Sequence, residues 1–250
     1  MISKALKARL EEEVLKRNSS LELSLEKPDP LMVAKCYNEE YSALICALFS
    51  YGNAKAIVNF LNSLDFSLLE SDETAINRAL ENVYYRFQSS QDVITLFLVL
   101  SRWKQQGISL EERFLEGYSE HHHTMDGIRH LLELLYAENS YRTRGYQFLL
   151  GTIPSQRPTA PYKRWHMFLR WMVRKDALDL GLWERVRRKD LLMPLDTHTF
   201  RVGQQLGLIK RKSYDFLAVQ ELTEALKRLD PNEPIKYDFA LYRLGQEKFL

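Results

Sequence analysis

The chain has 250 residues, 45% of them hydrophobic and 27% charged, with ten glycines, two cysteines and a formal charge of +2. That length and balance suit one large core or two lobes of roughly 100–150 residues each, and exclude a disordered, collagenous or membrane-spanning class. Two cysteines exclude a disulfide scaffold and a four-cysteine iron–sulfur cluster, and so few glycines argue against glycine-rich phosphate loops.

Taken in chain order, the first segment, up to Arg17, is polar and amphipathic and lacks the apolar stretch of about 7–15 residues that a secretory signal needs. Cys36 and Cys46 read as reduced, buried residues of a cytoplasmic chain. Ser90 stands before the apolar run Val93–Leu100, which is too short to span a bilayer. Ser109 with Glu112 has capping-box spacing, and Thr124 precedes a broad stripe of Ile128, Leu131, Leu132, Leu134 and Leu135 at helical period. Pro154, Pro158 and Pro161 break the chain over Thr152–Pro161, and further breaks fall at Met193-Pro194-Leu195 and Asp230–Pro234. Helices are predicted over Lys163–Arg174, from Asp196 to about Leu206 with Gly207 as the stop, and over Phe216–Leu229. The expected fold is all-α, with roughly ten to thirteen helices.

The net charge of +2 conceals a strong asymmetry. Residues 157–212 carry fourteen Lys/Arg against five Asp/Glu, a formal +9, while residues 1–156 sum to −5 and residues 213–250 to −2. A basic block inside an acidic chain is the footprint of a nucleic-acid contact surface, or of a solvated basic face. Within Lys163–Arg174, Trp165, Phe168, Leu169 and Met172 form an apolar stripe, and Lys163, Met167, Arg170 and Arg174 fall on a second, basic stripe. An amine in the first helical turn, beside other cations and the positive end of the helix dipole, is expected to have a lowered pKa and hence nucleophilic character. Asp196 reads first as an N-cap, a carboxylate accepting backbone N–H bonds at a helix mouth. His121, His122 and His123 are consecutive and so point in different directions; no metal site is predicted there or elsewhere.

Pro194-Leu195-Asp196-Thr197-His198-Thr199-Phe200-Arg201-Val202 resembles the Asp-Thr-His…Phe-Arg-Val segment of helix-hairpin-helix DNA glycosylases of the endonuclease III type. Pro158 and Lys163 match the proline and catalytic lysine of that family at the same five-residue separation. The helix after Lys163 is also similar to its counterpart in archaeal 8-oxoguanine glycosylases, and Lys236-Tyr237-Asp238-Phe239-Ala240-Leu241 resembles a stretch of an uncharacterised bacterial branch. The specific likeness covers residues 152–244. Two departures stand out: the family hairpin Leu-Pro-Gly-Val-Gly reads Arg157-Pro158-Thr159-Ala160-Pro161 here, and 33 residues separate Lys163 from Asp196, a longer gap than in endonuclease III.

The resemblance implies one two-lobed helical domain over residues 1–250, with a helix-hairpin-helix-like element at the lobe junction and a DNA cleft between the lobes. It implies base excision with Lys163 as nucleophile and Asp196 as the carboxylate, followed by nicking of the abasic strand. The expected partner is double-stranded DNA with a damaged base, an oxidised purine by likeness to the archaeal branch. Arg157 and Arg164 would clamp phosphates in place of the missing glycines, with Arg170, His198, Lys210 and Arg211 as further DNA contacts. Tyr162 and Trp171 are the expected walls of the base pocket. No cofactor, metal, iron–sulfur cluster or membrane partner is expected, and the chain is taken as a cytoplasmic monomer, nucleoid-associated if bacterial. Two rivals remain: a non-catalytic helical nucleic-acid binder, and a helical interaction module whose basic face docks an acidic partner.

Overall fold

Polar side chains placed just before apolar runs start most of the helices. In the computed structural model, which describes residues 3–246, Ser3, Asp29, Glu39, Asn53, Asp72, Ser89, Ser109, Thr143, Asp196 and Asp215 each accept a first-turn backbone N–H at a helix N-cap. The helices in order are α1 (Lys4–Arg17), α2 (Pro30–Tyr37), α3 (Glu40–Leu48), α4 (Ala54–Asn62), α5 (Glu73–Leu80), α6 (Ser90–Gln105) and α7 (Leu110–Tyr118). They continue with α8 (Thr124–Ala137), α9 (Arg144–Leu150), α10 (Lys163–Val173), α11 (Thr197–Gln205), α12 (Phe216–Lys227) and α13 (Asp238–Gln246). Among the described residues there is no strand, only isolated bridges at Tyr85–Gln88 and Lys175–Leu180. The fold is all-α. No helix among the described residues is long and apolar enough to cross a membrane.

Several expected boundaries move by a residue. The α6 cap is Ser89, not Ser90: the Ser89 side chain accepts the Asp92 N–H and the Asp92 carboxylate accepts the Ser89 N–H, a reciprocal capping box. Thr124 lies inside α8, whose N-cap is His123. Gly207 ends α11 as expected, one residue past the Leu206 C-cap and in the left-handed region at φ +70°. Cys46 is buried on α3, but Cys36 is exposed at the end of α2, so only one of the two cysteines belongs to a core.

The chain forms two compact units that divide at two of its proline-containing segments. One unit spans Pro28–Ser155; the other combines the described residues up to Lys27 with those from Gln156 onward. In the first, α3 is buried at every position from Tyr41 to Leu48 and is flanked by α2, while α6 packs against α5 and α9, and α7 against α8. In the second, α13 packs against both α1 and α11. Helix α1, despite its polar composition, is fastened there by side chains: Tyr237 donates to Glu11, Lys236 pairs with Glu11 at 3.0 Å, and Lys7 donates to the Leu229 carbonyl at 2.8 Å.

The core of this second unit contains charge. Helix α10 is buried at every position from Trp165 to Val173, and Arg174, its C-cap, is buried as well, so the expected basic stripe is not a solvent face. Arg170 bonds Asp179 at 3.0 Å and Asp238 at 2.5 Å; Arg174 bonds Asp179 at 2.7 Å, Asp176 at 2.8 Å and Glu233 at 3.0 Å. Asp238 and Glu233 lie outside the +9 block and turn its arginines inward. Removing one member of a buried pair leaves the other charge desolvated and uncompensated. Arg170→Met is therefore expected to lower unfolding stability by about 3–5 kcal/mol, read as a fall in the urea midpoint with little change in slope.

Candidate active site

Two helix starts set the site. Lys163 is the first residue of α10, and Asp196 is the N-cap of α11. The turn into α10 is made by Pro161 and by Tyr162, which sits in the left-handed region at φ 45° and supplies no side-chain cap. The glycine-free segment before it is anchored from α12, because the Phe216 N–H donates to the Thr159 carbonyl at 2.9 Å. Asp196 is positioned by a buried run: Met193, Pro194 and Leu195 are inaccessible, and the Met193 N–H donates to Thr223 Oγ1 at 3.1 Å. The Tyr214 hydroxyl donates to the Leu195 carbonyl at 2.7 Å, bracing the residue before the cap.

The result brings Lys163 Nζ to 3.9 Å from Asp196 Oδ2, with side chains 30% and 17% exposed. The other carboxylate oxygen, Oδ1, accepts the Thr199 N–H at 2.8 Å. An ion pair this open and this long adds little to stability, so the fold does not depend on it. Both groups are placed by backbone elements, and both are reachable from solvent.

The remaining predicted residues separate. Arg157 is exposed and Arg164 half-buried, one residue beyond Lys163. His198 is exposed and lines, with Arg201 and Gln205 of α11 and Leu244, Gly245 and Gln246 of α13, an open cavity of about 570 Å³; neither Lys163 nor Asp196 is among its walls. Lys210 is exposed, whereas Arg211 forms a fork with Asp215 at 2.6 and 2.7 Å. Two assignments are corrected. Arg170 cannot serve as a DNA contact, because Asp179 and Asp238 hold it inside the core. Trp171 cannot line a base pocket, because it is 1% exposed on a helix buried at every position from Trp165 to Val173. Tyr162 remains half-buried beside Lys163.

Two residues near Asp196 escape sequence reasoning. Burial and the Asp196 charge both push the Tyr214 phenol above its ordinary value. Its ring lies edge-on to Phe200 at 5.7 Å. Asp238, at the start of α13, is the other; burial pushes its carboxyl up to about 6 against the pull of Arg170, and the Asp196 and Asp179 charges add to the rise. Tyr214 lies in a loop with no periodic signal, and Asp238 sits in a motif whose partners are remote in sequence.

What the second unit defines is an all-helical protein with an accessible lysine–carboxylate pair at two helix mouths. The chain belongs to the DUF2400 family, proteins of unknown function, which matches residues 29–247. No curated protein matches it, and no solved structure does.

Two measurements check this geometry. Asp196→Ala is expected to cost about 1 kcal/mol through loss of the cap, and Asp196→Asn much less, since asparagine caps equally well; urea unfolding of the two variants reads the difference. Asp238 carries a pH signature. An unfolded aspartate titrates near ~3.9, so between about pH 4 and 6 the folded chain holds a proton that the unfolded chain has released, and stability falls as pH rises through that window. Asp238→Asn removes this titration, so the fall in stability across that window is expected to be smaller in the variant than in the parent, read from urea midpoints at pH 4, 5, 6 and 7.

Proposed function

We propose that this protein is a lysine-dependent DNA glycosylase that also nicks the abasic strand. The observation that carries the reading is the 3.9 Å approach of Lys163 Nζ to Asp196 Oδ2 at an accessible site that contributes little to the fold. The likeness of Pro194–Val202 and of Pro158 and Lys163 to helix-hairpin-helix glycosylases supports the same pairing.

The chemistry follows from the two groups. Asp196 takes a proton from the Lys163 ammonium, and the neutral amine attacks C1′ of the damaged nucleotide as the C1′–N bond breaks. The bonding pair leaves with the base, which is protonated on departure. Asp196 passes the proton it took to the departing base, and as a carboxylate again it stabilises the positive charge that develops on the sugar. The lysine–sugar adduct opens to an iminium; loss of a C2′ proton then expels the 3′ phosphate and nicks the strand, and water releases Lys163. The base must leave the stack to be reached, at a cost of a few kcal/mol, and Tyr162 beside Lys163 is the aromatic side chain available to receive it. Arg157, Arg164 and Lys210 supply positive charge for the phosphates. The substrate is duplex DNA with an oxidised purine, and the protein acts as a cytoplasmic monomer at the nucleoid.

Borohydride reduces the iminium to a stable crosslink and tests the mechanism directly. Duplexes containing an oxidised purine or an abasic site are expected to trap with the parent chain and not with Lys163→Ala. Asp196→Asn, which keeps the cap, is expected to slow trapping by about 100-fold or more. Absence of a crosslink on either duplex would refute the assignment.

A further inference from the structure

We propose that the aromatic surface formed by Tyr51, Phe87 and Phe148 in the Pro28–Ser155 unit binds single-stranded DNA by stacking unpaired bases. This goes beyond the lysine chemistry and rests on it only for the choice of DNA over RNA.

The surface is built rather than incidental. Tyr85 and Gln88 exchange backbone hydrogen bonds at 3.3 and 2.9 Å, closing a two-residue turn whose tip is Arg86-Phe87. Arg86 occupies the left-handed region at φ 58°, an uncommon conformation for a residue with a side chain. Phe87 is left 52% exposed at the tip. Its ring meets Phe148 at 4.6 Å and Tyr51 at 5.8 Å, and Tyr51 meets Phe148 at 4.9 Å. The buried Gln88 fixes the arrangement from below, accepting from the Tyr51 hydroxyl and donating to the Gly145 carbonyl at 3.2 Å, where α9 begins. Phe148 is 40% exposed on α9, and Tyr84, beside the turn, is 72% exposed.

The exposed charges nearest these rings in sequence have one sign, and the buried Asp92 beside Gly145 is taken up by the Tyr141 and Thr143 hydroxyls and the Ser89 N–H. Within four residues of Tyr51, Phe87 or Phe148 along the chain, every charged residue is a cation: Lys55, Arg86 and Arg144, all exposed. The Arg86 guanidinium lies 5.8 Å over the Tyr51 ring, in space left by Gly52, where a Cβ would meet the Arg86 Nη1 at 2.7 Å. Arg144 and Phe148 are four residues apart on α9 and share a face. Rings with adjoining arginines suit a polyanion whose bases have π-faces: the rings stack, and the cations take the phosphates. An acidic or aliphatic protein segment would match either the charges or the rings, not both.

The test is a fluorescence-anisotropy titration of the full chain with labelled oligothymidylate at about 50 mM salt. Oligothymidylate holds no damaged base, so the titration reads stacking whether or not Lys163 forms an adduct. The parent chain is expected to bind, Phe87→Ala and Phe148→Ala each to weaken binding about tenfold, and Phe87→Tyr to retain it. Phe87→Leu keeps size and apolarity without a π-face and is expected to weaken binding as Phe87→Ala does. No binding by the parent chain would overturn the proposal, as would a Phe87→Leu chain that binds as tightly as the parent, since stacking on this ring would then contribute nothing.

Discussion

The placement of Arg170 between two buried carboxylates is the constraint on which the second unit depends. A guanidinium is not left uncompensated in a protein interior, so Asp179 and Asp238 must both approach it. Asp179 lies nine residues further along the chain and folds the segment after α10 back onto that helix. Asp238 begins α13, which packs against α11, the helix capped by Asp196. A single side chain thus ties the helix that carries Lys163 to α13, the helix on which α11 and its Asp196 cap pack. The tie is electrostatic as well as steric, because the Asp196 charge is felt at Asp238.

The same network changes the meaning of the basic block. Two of its fourteen cations, Arg170 and Arg174, neutralise carboxylates in the core, and Arg188 and Arg211 pair with Glu233 and Asp215 from beyond the block. A formal +9 over 56 residues is therefore not a +9 surface. The exposed remainder, which includes Arg157, Arg201, Lys210 and Lys212, lies in loops and on one face of α11. That is a smaller positive field than linear charge counting suggests, and any nucleic-acid affinity it confers scales with the few phosphates it can neutralise.

Much of this architecture was legible in the chain because it is local. Caps act over three residues and helix stops over one or two, so the extents of α8, α10, α11 and α12 follow from sequence to within a few residues. The Lys163–Asp196 pairing was accessible only through likeness to a motif, since nothing local relates residues 33 apart. The burial of Arg170 and Trp171 escapes the helical period for a definite reason. Helical period divides a helix into faces but does not say how many of them are covered, and α10 is covered all round by segments from Leu178 to Phe239. Tyr214, Asp238 and the aromatic turn at Arg86-Phe87 depend on contacts distant in sequence or on a single left-handed residue, and periodicity carries no record of either.

Two descriptions of Asp196, structural cap and reactive carboxylate, look like alternatives when only the sequence is available. The geometry gives one side chain the first role and leaves it an oxygen for the second, proposed one. A carboxylate has two oxygens, and here Oδ1 accepts the Thr199 N–H while Oδ2 faces the Lys163 amine. The cap bond fixes the rotamer, so the second oxygen is held in place without any contact from the lysine itself. In the chemistry proposed for this pair, an acceptor oriented by its own helix needs no reorganisation when the amine changes charge, the condition under which a fixed carboxylate favours a developing positive charge most strongly. Capping is how this chain holds the acceptor still.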